Sequence, residues 1–233
     1  MPPIASPSAH LKSLTRQESA YWAGRRVGLY GGSFNPGHDG HLHVAIEALK
    51  RLPLDGIWFM VSPGNPLKDS ADMAPFDARY QSAQELADMH PKLAVTDIEA
   101  RIGSRYTAET VDTLVGLFPR TQFLWMMGAD NLAQFDQWYR WQDIMAQLPV
   151  AVFDRPAYSV SGFAGKMARR FASAQVPSHK LLSQSGARLG VKTPRWSFIR
   201  MPRHPASATD IRRRLGHDWL VRGWTDQSQQ SQL

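Results

Sequence analysis

Cysteine is missing from all 233 residues, so disulfides, thiolate nucleophiles and cysteine-based zinc sites are excluded. A cytoplasmic location is the expectation that follows. No apolar run approaches the roughly 20 residues that a membrane helix requires, so no membrane association is expected. Residues 1–24 carry proline, serine, lysine and arginine instead of the continuous apolar core of a secretory signal, and read as a flexible leader. Acidic residues are in deficit, 20 against 27 lysines and arginines, which leaves a net charge of +7. Such a surplus suits a polyanionic partner, either nucleic acid or a phosphorylated small molecule. The basic side chains crowd the last third, from Arg155 to Arg214, but spread over several elements. No DNA- or RNA-binding motif accompanies them, so no specific nucleic-acid partner is expected. Gly-x-Gly-x-x-Gly is also absent after the first predicted strand, which argues against a dinucleotide-binding dehydrogenase.

What the chain does contain is organised around one stretch near its start. Val27 to Tyr30 reads as a short buried strand, ended by Gly31-Gly32, where the backbone must turn sharply or be approached closely. Leu42, Ala45, Ile46, Leu49 and Leu52 recur at helical spacing, with Asp39 as the expected N-cap. Strand, glycine turn and helix start place His38 and His41 where unpaired N–H groups and the positive end of a helix dipole emerge. That is an anion site, and phosphate is the anion it suits best. His38, His41 and His43 also form His-x-x-His-x-His, but His41 and His43 lie about 200° apart on a helix of 3.6 residues per turn. They do not share an ion easily, and His43 is read as an ordinary surface histidine.

Further along, strands are expected at Gly56 to Val61, Leu93 to Ile98, Thr121 to Met127, Val150 to Phe153 and Trp196 to Ile199. Helices are expected from Asp77 to Ala87, beyond Thr107 to Phe118, from Asn131 to Phe135, from Trp138 to Leu148, around Phe163 to Phe171 and from Thr209 to Leu215. Residues 99–107 and most of 175–193 read as loop. Alternating strands and helices predict an α/β fold, a Rossmann-like doubly wound parallel sheet of about five to six strands with helices on both faces. Residues 25–220 are expected to form a single domain, and 221–233, rich in Gln and Ser, a disordered tail.

Gly31-Gly32-Ser33-Phe34-Asn35-Pro36-Gly37-His38-Asp39-Gly40-His41 resembles the Gly-x-Phe-x-Pro-x-His-x-Gly-His signature of the nucleotidyltransferase superfamily. Other stretches narrow the resemblance. Glu99-x-x-Arg-x-Gly-Ser-x-Tyr106-Thr107, Gly128-Ala129-Asp130, Phe135-x-x-Trp138-Tyr139-x-Trp141-x-x-Ile144 and Ser207-Ala208-Thr209-Asp210-Ile211-Arg212 are similar to the bacterial nicotinate-nucleotide adenylyltransferases. The match runs from about Val27 to Gly216. Two departures stand out. Asn65-Pro66-Leu67-Lys68 replaces the family's Pro-Pro-His-Lys/Arg, and Ala208 replaces a serine of its Ile-Ser-Ser-Thr-x-Ile-Arg motif.

The resemblance implies transfer of AMP from ATP to nicotinate mononucleotide, with deamido-NAD and pyrophosphate as products. A related transferase acting on nicotinamide mononucleotide or pantetheine phosphate is the alternative. By the same resemblance, His38, His41 and Arg212 serve the transferred phosphate. Gly31, Gly32, Ser33, Phe34, Asp130, Ser207 and Thr209 join them in binding ATP. Ser33, Phe34, Lys68, Tyr106, Thr107, Trp138 and Tyr139 bind the nicotinate nucleotide, with Trp138 stacking on its ring. Magnesium is expected to arrive on the phosphates, with no dedicated protein cage. Asp130 also suits a simple N-cap, as does Thr107, whose N–H and hydroxyl could alternatively hold a carboxylate. A monomer and a homodimer are equally compatible with the sequence.

Overall fold

A computed structural model describes residues 18–64, 73–154, 165–182, 193–202 and 204–215. The chain begins there with a helical turn, α1, at residues 18–22. It continues through β1 (Arg26–Gly32), α2 (Asp39–Arg51), β2 (Gly56–Val61), α3 (Phe76–Asp88), β3 (Leu93–Thr96), α4 (Ile98–Ile102), α5 (Thr107–Leu117) and β4 (Gln122–Gly128). The second half comprises α6 (Ala129–Leu132), α7 (Trp141–Gln147), β5 (Val150–Phe153), α8 (Lys166–Arg170), β6 (Trp196–Ile199) and α9 (Ala208–Leu215). Single 3₁₀ turns occupy Phe135–Gln137, Ala172–Ala174 and Ser178–Lys180.

The six strands form one sheet in the order β3-β2-β1-β4-β5-β6, and every pairing is parallel. Parallel strands covered on both faces need no polar alternation, and β2 and β4 are buried at every position. Side chains of β1 alternate between two cores. Val27 and Leu29 join Trp58, Trp125, Val111 and Ile144 on the face covered by α5 and α7. Tyr30 joins Phe59, Leu124, Ala45 and Leu86 on the face covered by α2 and α3. Each fully buried side chain of this size contributes about 1.5–3 kcal/mol, so these two apolar layers hold the fold together.

The order of the strands positions the site. From β1 the chain winds outward through β2 to β3, then crosses back so that β4 pairs with the other side of β1. The loops after β1 and β4 therefore leave in opposite directions and open a crevice at the C-terminal ends of these strands, where open α/β sheets bind ligands.

Several sequence expectations are corrected here. The loop expected from Glu99 begins with α4, because Ile98 and Glu99 are buried and Arg101 pairs with Asp97 one turn back at 2.8 Å. The third strand accordingly stops at Thr96. The helix expected from Trp138 starts only at Trp141, since Arg140 sits at a left-handed φ of 50°. Ion pairs from Arg140 to Asp112 on α5 (2.9 Å) and to Asp143 on α7 (2.6 Å) anchor the break. Trp138 and Trp141 thus do not share a helical face. The helix expected from Asn131 instead begins at Ala129 with Gly128 as its N-cap, which puts Asp130 in the first turn and not at the cap. Around Phe163, the described helix covers only Lys166–Arg170.

Candidate functional site

β1 ends against the edge of β4. A Cβ on Gly31 would lie 2.8 Å from the Trp125 ring, so the glycine allows the two strand ends to pack closely. Neither Gly31 nor Gly32 has a positive φ; the left-handed residue of the turn is Phe34, at 47°. For a bulky residue this conformation costs about 1–2 kcal/mol. Burial offsets it, because the Phe34 ring is 1% exposed and packs on Phe59, Tyr30 and His41, at 5.3, 6.4 and 4.8 Å between centroids. Any ligand contact from Phe34 therefore comes from its backbone.

His38, not Asp39, is the N-cap of α2. Its Nδ1 accepts the Gly40 N–H at 3.0 Å, while His41 Nδ1 accepts the His38 N–H at 3.3 Å. The two imidazoles form a reciprocal capping box with ring centroids 4.0 Å apart. Because Nδ1 accepts in each, the proton of each neutral ring is assigned to Nε2, which makes that nitrogen the donor of the ring. The helix start thus spends part of its N–H supply on the histidines, which offer imidazole donors in exchange. His38 is 3% exposed, and His41 is the more open of the two.

Arg212 comes from the other end of the chain. Its guanidinium donates to the carbonyl of Asn35 at 2.5 Å and brings α9 onto the turn. Ser207 Oγ accepts the Asp210 N–H at 3.1 Å and donates to the Asp210 carboxylate at 2.8 Å, so its hydroxyl caps α9. Thr209 is exposed on the same helix. His43 holds the approach to α9: its Nε2 lies 2.7 Å from the carbonyl of Pro202, and its ring lies 5.3 Å from that of His204.

On the β4 side, Asp130 follows the strand end directly within α6. Trp138 packs at 5.1 Å against Phe135, the two rings inclined by 58°, and meets Trp125 edge-on at 6.1 Å, so the ring expected to contact nicotinate is joined through Trp125 to Gly31. Tyr106 is the N-cap of α5 and Thr107 its first residue. The Tyr106 and Tyr139 rings lie 4.8 Å apart, and both residues are exposed. Lys68 lies outside the described residues.

Two buried polar residues, Arg79 and Ser82, escaped the sequence reading, and a third, Glu99, entered it only as part of a motif with no role assigned. Arg79, 1% exposed, donates to the carbonyls of Ala74, Ser33, Ser62 and Pro63 at 2.7–3.3 Å. Burial holds its pKa below the usual guanidinium value. The available signal was helical spacing: Arg79 sits in the apolar stripe of Ala83 and Leu86, where a cation has no surface reason to be. Ser82 Oγ accepts the Gly37 N–H at 2.9 Å. Glu99, beside Ser62 and Thr110, is pushed by burial up to about 7, against the hydrogen bonds of those two hydroxyls.

Among the described residues no group of three or more histidines or carboxylates converges as a metal site. None of the described helices is long and apolar enough to cross a membrane. A cavity of about 310 Å³ does open at the β3 edge, between Glu18, Trp22, Tyr80 and Arg101. It lies off the crevice, and its charged groups face one another, Arg101 with Glu18 at 3.7 Å and with Asp97.

The family model described as cytidylyltransferase-like matches residues 29–214. A "Probable nicotinate-nucleotide adenylyltransferase" of Methylorubrum extorquens is 47% identical over 189 residues, 81% of this chain and the whole of that one. A protein of the same description from Parvibaculum lavamentivorans is 46% identical over 200 residues, covering 85% and 96% of the two chains. The fold is also that of the Plasmodium falciparum nicotinic acid mononucleotide adenylyltransferase complexed with NaAD. That match has a TM-score of 0.60 at 16% identity, over 81% of this chain and 83% of the other.

Proposed function

The chain belongs to the nicotinate-nucleotide adenylyltransferase family, and from that premise we propose how its residues carry the family's reaction. AMP passes from ATP to nicotinate mononucleotide, giving deamido-NAD and pyrophosphate. The mononucleotide's phosphate oxygen attacks the α-phosphorus of ATP, a new P–O bond forms, and the bond to the β-phosphate oxygen breaks as pyrophosphate departs. A phosphomonoester has its second pKa near 6, so the nucleophile is mostly dianionic at neutral pH and needs no strong base. The protein's work is to align two anions and to neutralise charge on the transferred phosphoryl oxygens.

The observation that carries this reading is the histidine pair at the β1/β4 crevice. With both Nδ1 atoms committed to the capping box, the Nε2–H groups of His38 and His41 are fixed in direction before substrate arrives. Preorganised donors stabilise developing charge without reorganising, and removing one costs about 10²–10³ in turnover. Arg212, docked on Asn35, adds a planar fork suited to phosphate oxygens. Asp130 is assigned to the ATP side, together with the backbone of Gly31 to Phe34. Trp138 and Thr107 are assigned to the nicotinate ring and its carboxylate, and Lys68 and Tyr139 to the same nucleotide.

Magnesium enters as the companion ion of ATP. The described residues of the turn supply imidazole and guanidinium donors and not clustered carboxylates, so they do not fit a protein-held magnesium. The ion is assigned to the phosphate oxygens of the substrate.

His41→Ala tests the reading. It removes one phosphate donor and half of a capping box worth about 1 kcal/mol, so kcat falls about 100-fold or more while the protein stays folded. Near-normal kcat in a folded His41→Ala protein would sink the assignment.

A further inference from the structure

The phosphate turn is not held by its own hydrogen bonds alone; it is gripped from below by one helix. Two side chains of α3, one turn apart, reach it from the buried side. Arg79 donates to the Ser33 carbonyl at 2.8 Å. Ser82 Oγ accepts the Gly37 N–H at 2.9 Å, and its single proton lies between the Arg79 carbonyl one turn back at 2.9 Å and the Phe34 carbonyl at 3.3 Å. Contacts are so close that a Cβ on Gly37 would lie 2.9 Å from both the Ser82 carbonyl and the Leu86 side chain. The same Arg79 guanidinium also donates to the carbonyls of Ser62 (2.7 Å) and Pro63 (3.3 Å), the first residues after β2. Among the described residues no carboxylate pairs with it. Four backbone carbonyls take its N–H groups, and no charge partner would explain its presence in the core.

We propose that Arg79 and Ser82 are positioning residues for catalysis: Ser82 sets the phosphate turn, and Arg79 locks that turn in register with the loop after β2. The inference rests on the reading above, in which the turn binds ATP and Lys68, which follows β2 in the sequence, is assigned to the mononucleotide. Arg79 suits this role because its rigid, planar fork spans two loops at once, whereas a lysine offers one point of attachment. Both residues act through the backbone they hold, in particular the strained segment between Ser33 and Gly37. With Phe34 left-handed, that segment has a less strained alternative to relax toward once its external bonds are cut.

The two residues predict different kinetic signatures. Ser82→Ala leaves the buried Gly37 N–H without its acceptor; apart from a bond to the Arg79 carbonyl within α3, the hydroxyl it removes contacts only the turn. It should raise KM for ATP about tenfold and leave KM for nicotinate mononucleotide within about twofold. Arg79→Lys should raise both KM values about tenfold or more and lower kcat, because displacement of either loop misaligns the two reactants. Folding is checked by near-UV circular dichroism and a melting point above the assay temperature. Should Arg79→Lys fail to fold, Arg79→Gln, which keeps N–H donors without the charge, is read by the same criterion, and Ser82→Ala decides the turn half independently. A folded Ser82→Ala protein with an unchanged KM for ATP overturns that half, and a folded Arg79→Lys protein with both KM values unchanged overturns the other. His41→Ala run in parallel separates the two levels. Normal turnover there removes the reading of the turn itself, whereas a severe loss beside unaffected Arg79 and Ser82 variants removes only the positioning role.

Discussion

Replacing Glu99 with glutamine should change how stability depends on pH, and the size of that change follows from the environment of the carboxyl group. Glu99 is 7% exposed at the start of α4, with Thr110 Oγ donating to it at 3.3 Å. Burial raises its pKa from 4.5 to about 7, and the Thr110 and Ser62 hydroxyls only partly oppose that rise. Between these two values the folded chain holds a proton that the unfolded chain has released. Stability therefore falls as pH rises through this window. The penalty is absent below about 4.5, complete above about 7, and worth about 3 kcal/mol at about 1.4 kcal/mol per pH unit. Glutamine keeps the shape and has no proton to lose. Its unmatched amide N–H groups cost about 1–3 kcal/mol, but by the same amount at every pH. The stability of Glu99→Gln relative to the parent should thus improve by about 2–3 kcal/mol between pH 5 and pH 8. Urea unfolding followed by the fluorescence of the eight tryptophans measures it. A difference that stays constant within about 0.5 kcal/mol across this range would refute the assignment of a buried, proton-holding Glu99.

Two further substitutions test the crevice from either side. Gly37→Ala drives a methyl group into the Ser82 carbonyl and Leu86, so α3 must retreat from the turn. A loss of about 1–3 kcal/mol should lower Tm by about 2–10 °C, and a Tm within 1 °C of the parent would show that this contact is loose. Trp138→Ala removes the flat partner assigned to nicotinate. KM for nicotinate mononucleotide should rise about tenfold with little change for ATP, and an equal rise for both substrates would show a general packing defect instead.

Much of the fold was legible in the sequence, for physical reasons that can be named. Strands at Gly56 to Val61 and around Phe123 to Met127 are continuous apolar runs because both faces of a parallel sheet are covered. The α2 stripe of Ala45 and Leu49 follows from helical spacing alone. What failed depended on contacts distant in sequence. The break before Trp141 needs Asp112, 28 residues earlier, to hold Arg140 in a left-handed conformation that its own neighbours do not favour. Helix α4 reads as polar loop until Glu99 is seen to be buried against Thr110. At the turn, the motif located His38 and His41 but not their use as mutual caps, a role that serine or aspartate usually fills and that led to Asp39 as the expected cap. His43, set aside as a surface residue, tethers the segment before α9 through Pro202. Arg79 was invisible for another reason. Among the described residues its hydrogen-bond partners are all backbone carbonyls, and its one side-chain contact is the Phe76 ring at 5.5 Å, so no carboxylate in the sequence marks it.

The most direct test of the central claim is steady-state pyrophosphate release from magnesium-ATP with three acceptors side by side: nicotinate mononucleotide, nicotinamide mononucleotide and pantetheine phosphate. The account predicts the highest kcat/KM with nicotinate mononucleotide, and deamido-NAD formed in equal amount to the pyrophosphate released. A higher kcat/KM with either of the other acceptors, or pyrophosphate released without a dinucleotide product, would contradict it.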